Sequence, residues 1–169
     1  MHWVRYTVLA IVSAVGLSAT STARADTWAS AVEHCQGSLP SFEGALRKRP
    51  LGIVNEGNST AFIGCSMRID TMRRASNLIL LFTNRGSSPA AVTCTLVSGV
   101  APPFPRYTPV YVTKTVGAGA AGGQALMEFD ATIDNQGALF TLPNLNCQIP
   151  PGMEINVIQV NEVDAPPPA

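Results

Sequence analysis

The sequence predicts an all-β protein, an antiparallel β-sandwich, with a closed β-barrel as the alternative. Three observations predict it. Short runs rich in Val, Ile, Thr, Tyr and Phe recur between residues 51 and 163, broken by Gly, Pro, Asn and Asp clusters about every 8–12 residues. Several runs alternate apolar and polar side chains with a period of two. No segment carries the apolar period of a helix of ordinary length.

The chain opens with Arg5 near its start, an apolar run from Tyr6 to Leu17, and then Ala23-Arg24-Ala25. A charged start, a short apolar core and an A-x-A site describe a secretory signal peptide over residues 1–25. A membrane-spanning helix needs about 20 apolar residues, and no later stretch is long enough. The expected mature chain, from Asp26, carries nine Lys and Arg against eleven Asp and Glu, and His34 is its one histidine.

Residues 26–50 read as an irregular leader, punctuated by Gly37, Pro40, Gly44 and Pro50. The domain proper is expected over residues 51–163. Residues 51–55 and 60–65 predict two strands of a hairpin around the Glu56-Gly57-Asn58-Ser59 turn, and 68–74 a polar connection. The centre of the domain is a predicted second hairpin over Asn77–Gly99. Leu78–Phe82 is apolar on both faces, which suits a strand covered on both sides. Its predicted partner alternates, with Val92, Cys94 and Leu96 inward and Thr93 and Thr95 outward. Asn84-Arg85-Gly86 supplies the turn.

Prolines 102, 103 and 105 predict a stiff link, and residues 107–116 a further strand. Gly117–Gly123 is a loop. Residues 124–131 alternate again, with Ala125, Met127, Phe129 and Ala131 on one face and Glu128 and Asp130 on the other. Short strands are expected at 138–142 and 145–149. The last, over 153–163, breaks alternation at Ile155, Val157 and Ile158, so it carries a bulge or is covered on both faces. Residues 164–169 read as a disordered proline-rich tail. No internal repeat is visible.

Cys35, Cys65, Cys94 and Cys147 form an even set in an exported chain, which predicts two disulfides in any of three pairings. No CxxC or zinc-ligand spacing is present. The bridges are expected to pin the sheets together.

Four features resemble a loose group of uncharacterised exported bacterial β-domain proteins with a four-cysteine frame. They are Cys35 in the leader, Gly52-Ile53-Val54-Asn55 before a strand ending in Cys65, Val92-Thr93-Cys94-Thr95-Leu96, and Asn146-Cys147-Gln148-Ile149-Pro150 before a final strand reaching Glu162. The resemblance implies a small disulfide-bonded β domain outside the cytoplasm and supplies no catalytic residue.

Few residues offer chemistry. Gly117–Gly122 matches GxGxxG by letter, but a strand pattern follows it where a dinucleotide site needs a helix. Glu128 and Asp130 share a strand face about 7 Å apart, a carboxylate pair of the kind glycosidases use, or the wet face of a strand. Asp130, Asp134 and Asn135 offer too few oxygens for calcium, which takes six to eight. No catalytic, cofactor-binding or metal-binding residue is assigned. Charge is segregated: seven basic and two acidic residues lie between Arg47 and Arg85, and six acidic and no basic ones from Glu128 onward. Arg47, Lys48, Arg49, Arg73 and Arg74 are therefore candidate anion-binding residues; mutual compensation of the two halves is the alternative. Nucleic acid is not expected, since no aromatics interleave the basic cluster.

The functional expectation is an exported, secreted or periplasmic, non-enzymatic binding or structural module. Its partner would be a glycan, an envelope component or another protein. The alternatives are a small secreted hydrolase using Glu128 and Asp130, and an enzyme inhibitor presenting the proline-stiffened loop 101–106.

Overall fold

The computed structural model describes residues 25–67, 69, 73–99 and 109–164. The signal-peptide segment up to residue 24, the loop 101–106 and the tail 165–169 lie outside the described residues. Among the described residues eleven strands run in the order β1 (Ala25–Ser30), β2 (Cys35–Gly37), β3 (Leu46–Arg49), β4 (Gly52–Asn55), β5 (Ala61–Ser66), β6 (Arg73–Asn84), β7 (Ala90–Ser98), β8 (Val110–Ala118), β9 (Gly123–Asp130), β10 (Asn144–Ile149) and β11 (Met153–Asp164). Three four-residue helices accompany them: α1 (Ala31–His34), α2 (Pro40–Glu43) and α3 (Ala131–Asp134).

The strands form two antiparallel sheets packed as a sandwich, with no closed barrel. Sheet A has the order β3-β4-β11-β6-β9, with β1 also paired to β11; sheet B has the order β2-β5-β10-β7-β8. β4 pairs the start of β11 at Glu154 and Ile155, and β1 pairs it from Val157 to Glu162. A bulge at Asn156 separates the two stretches. The expected bulge in the last strand is therefore present, and a second register shift follows at Asn161/Glu162.

The core lies between the sheets. Val92, Cys94 and Leu96 are buried on β7, and Ala125, Met127 and Phe129 on β9, as the alternation predicts. Leu78, Leu80 and Phe82 of β6, all fully buried, stand directly beside Phe129, Met127 and Ala125 within sheet A, across the core from sheet B. Burying such side chains contributes roughly 1.5–3 kcal/mol each before the entropy of ordering is set against it. Ile79 and Leu81, on the outer side of β6, are only half-buried, so among the described residues no second layer covers that face as the apolar run had predicted.

Both predicted hairpins are corrected. β4 and β6 lie in sheet A, whereas β5 and β7, which follow them, lie in sheet B. Each turn is thus an arch that carries the chain across the sandwich. β6 finds its hydrogen-bond partners in β11 and β9, and β7 in β10 and β8. β8 to β9, through Gly119–Gly122, and β10 to β11, through Pro150–Gly152, cross in the same way.

Asn55 and Asn84 hold the first two arches, and both are fully buried. Asn55 Oδ1 accepts from Gly57 N at 2.9 Å, and its Nδ2 donates to Ser59 O and Ile149 O, each at 2.8 Å. Asn84 Oδ1 accepts from Gly86 N at 2.9 Å, and its Nδ2 donates to Ser88 O at 2.8 Å. Asn-x-Gly-x-Ser thus occurs twice, a short repeat beneath a repeated geometry. A buried amide that satisfies both its donor and its acceptor fixes a turn without leaving polar atoms unpaired.

The stretch 26–50, expected to be irregular, contributes β1, β2 and β3 to the two sheets. Residues 138–142 form no strand; Phe140 makes an isolated bridge to Ala75. The disulfides are Cys35–Cys65 and Cys94–Cys147. Both join directly paired residues of neighbouring strands on the inner side of sheet B, so neither pins one sheet to the other. What holds the sheets together is the apolar layer between them.

Candidate functional site

The period of two that buries the cysteines of sheet B turns its alternate residues outward. Strand register sets them in rows across the sheet. The middle row runs Gln36, Gly64, Asn146, Thr95, Thr113 from β2 to β8. On one side of it lie Phe62, Gln148, Thr93 and Thr115, and on the other Ser66, Asn144, Val97 and Tyr111. No member of any row is charged. In the five strands of sheet B the one charged residue is Lys114. It turns inward, its Nζ lying 5.5 Å from the centre of the Phe129 ring, donating to Glu128 O at 2.7 Å and pairing with Asp134 at 2.6 Å.

The side chains of this face are partly pre-arranged. Thr93 and Thr115 share a hydrogen bond of 2.8 Å, and Thr95 and Thr113 one of 2.9 Å. Asn146 Nδ2 donates to Ser38 Oγ at 3.3 Å, and Asn144 Nδ2 to Leu142 O at 3.0 Å. Phe62 and Tyr111 are exposed at opposite corners, Tyr111 at 67%. Three strand spacings and four residues along the strand separate them by roughly 20 Å. Beside the face, His34, Gln36, Ser38, Gly64, Ser66 and Asn144 line a hollow of about 330 Å³.

The outer side of sheet A differs in chemistry. Leu126, Leu81 and Val157 form an apolar row across it, and charged groups lie around that row. Glu154 is fully buried there, paired with Arg85 from the second arch. The Arg85 guanidinium is held above its ordinary range, first by this hydrogen bond and then by the carboxylate charge.

The basic residues singled out in the sequence do not converge. Arg47 and Arg49 both pair with Glu56, and Lys48 is exposed beside them. Arg74 is half-buried eight residues along β6 from Phe82, which shares a register level with Lys48. Eight residues of strand span about 26 Å. The side chain of Arg73 lies outside the described part. Charge compensation between the halves is present at Arg85–Glu154; Lys114, outside the basic half, pairs with Asp134.

The carboxylates of the hydrolase alternative have structural partners. Glu128 accepts from Asn77 Nδ2 at 2.9 Å. Asp130 caps α3, accepting from Thr132 N at 2.7 Å and Ile133 N at 3.3 Å. Asp134 accepts from Asp130 N at 2.7 Å besides pairing with Lys114, and Asn135 donates to Ala138 O. Among the described residues no group of three His, Cys, Asp or Glu stands close enough to hold a metal, and no helix is long and apolar enough to cross a membrane.

Sequence reasoning saw Thr93 and Thr95 as outward-facing but did not assemble the face. Its components come from five strands spread between residues 35 and 149, and no local motif joins them. The usable signal was the absence of charge from strands 61–66, 90–98 and 144–149, a weak one because residues 50–55, 75–84 and 115–127 are uncharged as well.

No family model matches the chain, and no characterised protein matches it in sequence. Among solved structures it is similar to an exo-β-1,3-galactanase from Phanerochaete chrysosporium, at 12% identity and a TM-score of 0.45 over 80% of this chain. It is also similar to a CBM35 module from Paenibacillus barcinonensis, at 12% identity and a TM-score of 0.36, covering 79% of this chain and 97% of that one. A GH26-CBM35 β-(1,4)-mannanase from Podospora anserina aligns at 12% identity and a TM-score of 0.34 over 85% of this chain. The chain spans 29% of the galactanase and 28% of the mannanase. These likenesses assign no residue a role. The protein is a disulfide-bonded β-sandwich module.

Proposed function

We propose that the protein is an exported, non-catalytic module that binds a neutral glycan on the outer face of sheet B. One observation carries this: a five-stranded face of hydroxyls and amides whose strand residues bear no outward charge, while the described charged groups lie elsewhere. A charged partner finds no complement on such a face. An apolar partner would desolvate the amides of Gln36 and Gln148, and the remaining polar atoms of Asn144 and Asn146, without pairing them, which is costly. A sugar matches both needs, since its hydroxyls donate and accept as amides do, and its C–H faces can lie against Phe62 and Tyr111. The structural commitments of Glu128 and Asp130 favour binding over hydrolysis. The predicted signal peptide and the two disulfides support export.

Affinity electrophoresis through gels containing soluble xylan, galactan, mannan or β-glucan tests the reading. At least one polysaccharide is expected to retard the mature protein. Tyr111→Ala should lose most of that retardation, while Arg47→Ala, on the other sheet, should keep it. Equal retardation of all three proteins would count against the sheet B face.

A further inference from the structure

We infer that the hollow over Gly64 seats the terminal sugar of the bound glycan, so that the chain is held by its end; this rests on the glycan reading above. The geometry begins with β2, which is three residues long and forms the edge of sheet B. Among the described residues no further strand lies beyond it for a glycan to cross. Next to β2, the middle row of the face is interrupted at Gly64, between Gln36 and Asn146. The backbone does not require glycine there. A Cβ on Gly64 would meet only Ser38 Oγ, at 3.6 Å, which is ordinary contact, and its φ lies outside the left-handed region. The missing side chain acts on the face instead, by leaving space.

That space is a hollow of about 330 Å³, at the small end of the range for ligand pockets and suited to a single sugar ring rather than a chain. Gly64 and Cys65 are among its lining residues, and the Cys35–Cys65 bridge ties the edge strand to its neighbour. Its rim offers the hydroxyls of Ser38 and Ser66, the amides of Gln36 and Asn144, and the half-buried ring of His34. Among the described residues no Lys or Arg lines it, so these offer a sugar carboxylate or sulfate no ion pair. A neutral terminal sugar fits. The remainder of the chain would run from the hollow over Asn146 and Thr95 toward Tyr111.

Calorimetric titration with cello-, xylo-, manno- and β-1,4-galacto-oligosaccharides, from disaccharide to hexasaccharide, tests this against the broader reading. Gly64→Leu fills the hollow at a position whose Cβ is unobstructed. It is expected to weaken binding at every length by about tenfold or more, equivalent to roughly 1.4 kcal/mol. Tyr111→Ala should weaken only the longer sugars. If Gly64→Leu fails to fold, as judged by its circular dichroism, Asn144→Ala takes its place with the same expectation. Undiminished binding by the hollow variant, with Tyr111→Ala weakened, would overturn the terminal-sugar site and leave the face standing. No binding of any of these sugars to the unaltered protein at millimolar concentration would overturn both.

Discussion

Asn55 and Asn84 show how single residues set the topology. Each is an amide buried completely where the chain leaves sheet A, and each closes its arch by accepting from a glycine N–H two residues on. Truncation to alanine leaves the backbone partners unpaired, at about 1–3 kcal/mol per stranded group. Asn55→Ala and Asn84→Ala should therefore each lower stability by about 2 kcal/mol or more in urea unfolding. Asn55→Ala should be the worse, because Asn55 also serves Ile149 O. A change within about 0.5 kcal/mol, the range of ordinary surface substitutions, would show that the arches stand without these caps.

Gly152 belongs to the same end of the molecule. Its φ is +76°, and a Cβ would lie 2.8 Å from the Gly86 backbone. Glycine is required there for both reasons. Arg85 and Glu154 form the other exacting pair. Gly52 leaves room for the Glu154 side chain, since a Cβ there would stand 3.0 Å from Glu154 Oε1 and 2.3 Å from Ile155 O. Arg85→Met strands a buried carboxylate, so it should lower the urea midpoint, and adding Glu154→Gln should recover part of the loss. A double variant no better than Arg85→Met would contradict this. The raised Arg85 pKa means the guanidinium stays charged, and its contribution persists, until pH climbs past the ordinary arginine range.

At the scale of elements, strand positions and their inward faces were legible in the sequence, while their pairing was not. The alternation through Val92, Cys94 and Leu96, and through Ala125, Met127 and Phe129, marks buried faces because the pleat has a period of two. A turn such as Asn84–Pro89 serves a hairpin or an inter-sheet arch equally well. The choice is made by distant strands, since β6 completes its hydrogen bonds with β11 and β9. The short strands β1 and β2 escaped for a related reason: strands of six and three residues carry too little periodicity to stand out from a polar leader. Asn55 and Asn84 were legible as turn residues, but polarity gives no hint that they are buried.

The disulfides make a prediction at this scale. Their sequence separations are 30 and 53 residues, for which loop-closure entropy gives about 3.5 and 4 kcal/mol. Paired Cys→Ala variants should fall in that order, with loss of Cys94–Cys147 slightly the more costly in urea unfolding. A bridge whose removal costs under about 1 kcal/mol would show that native packing alone holds those strands.

On the scale of the whole molecule, the two outer faces have different chemistry. Sheet A carries an apolar row with ion pairs around it, whereas sheet B is uncharged and polar between two aromatic corners. The candidate face was the least legible part of the protein, because its rows draw residues from strands up to 110 positions apart, from Gln36 to Asn146. What the sequence did carry was the distribution of charge. Nine basic and eleven acidic residues in the expected mature chain leave four strands of sheet B untouched, and the fifth turns its Lys114 inward.

The most direct test is amide chemical-shift mapping while a bound oligosaccharide is titrated into the labelled mature protein. The shifts are predicted to cluster on Gln36, Gly64, Asn146, Thr95 and Tyr111, with the residues of β4, β6 and β11 unmoved. Shifts centred on the outer side of sheet A, or spread over the arches while sheet B stays silent, would contradict the assignment of this face.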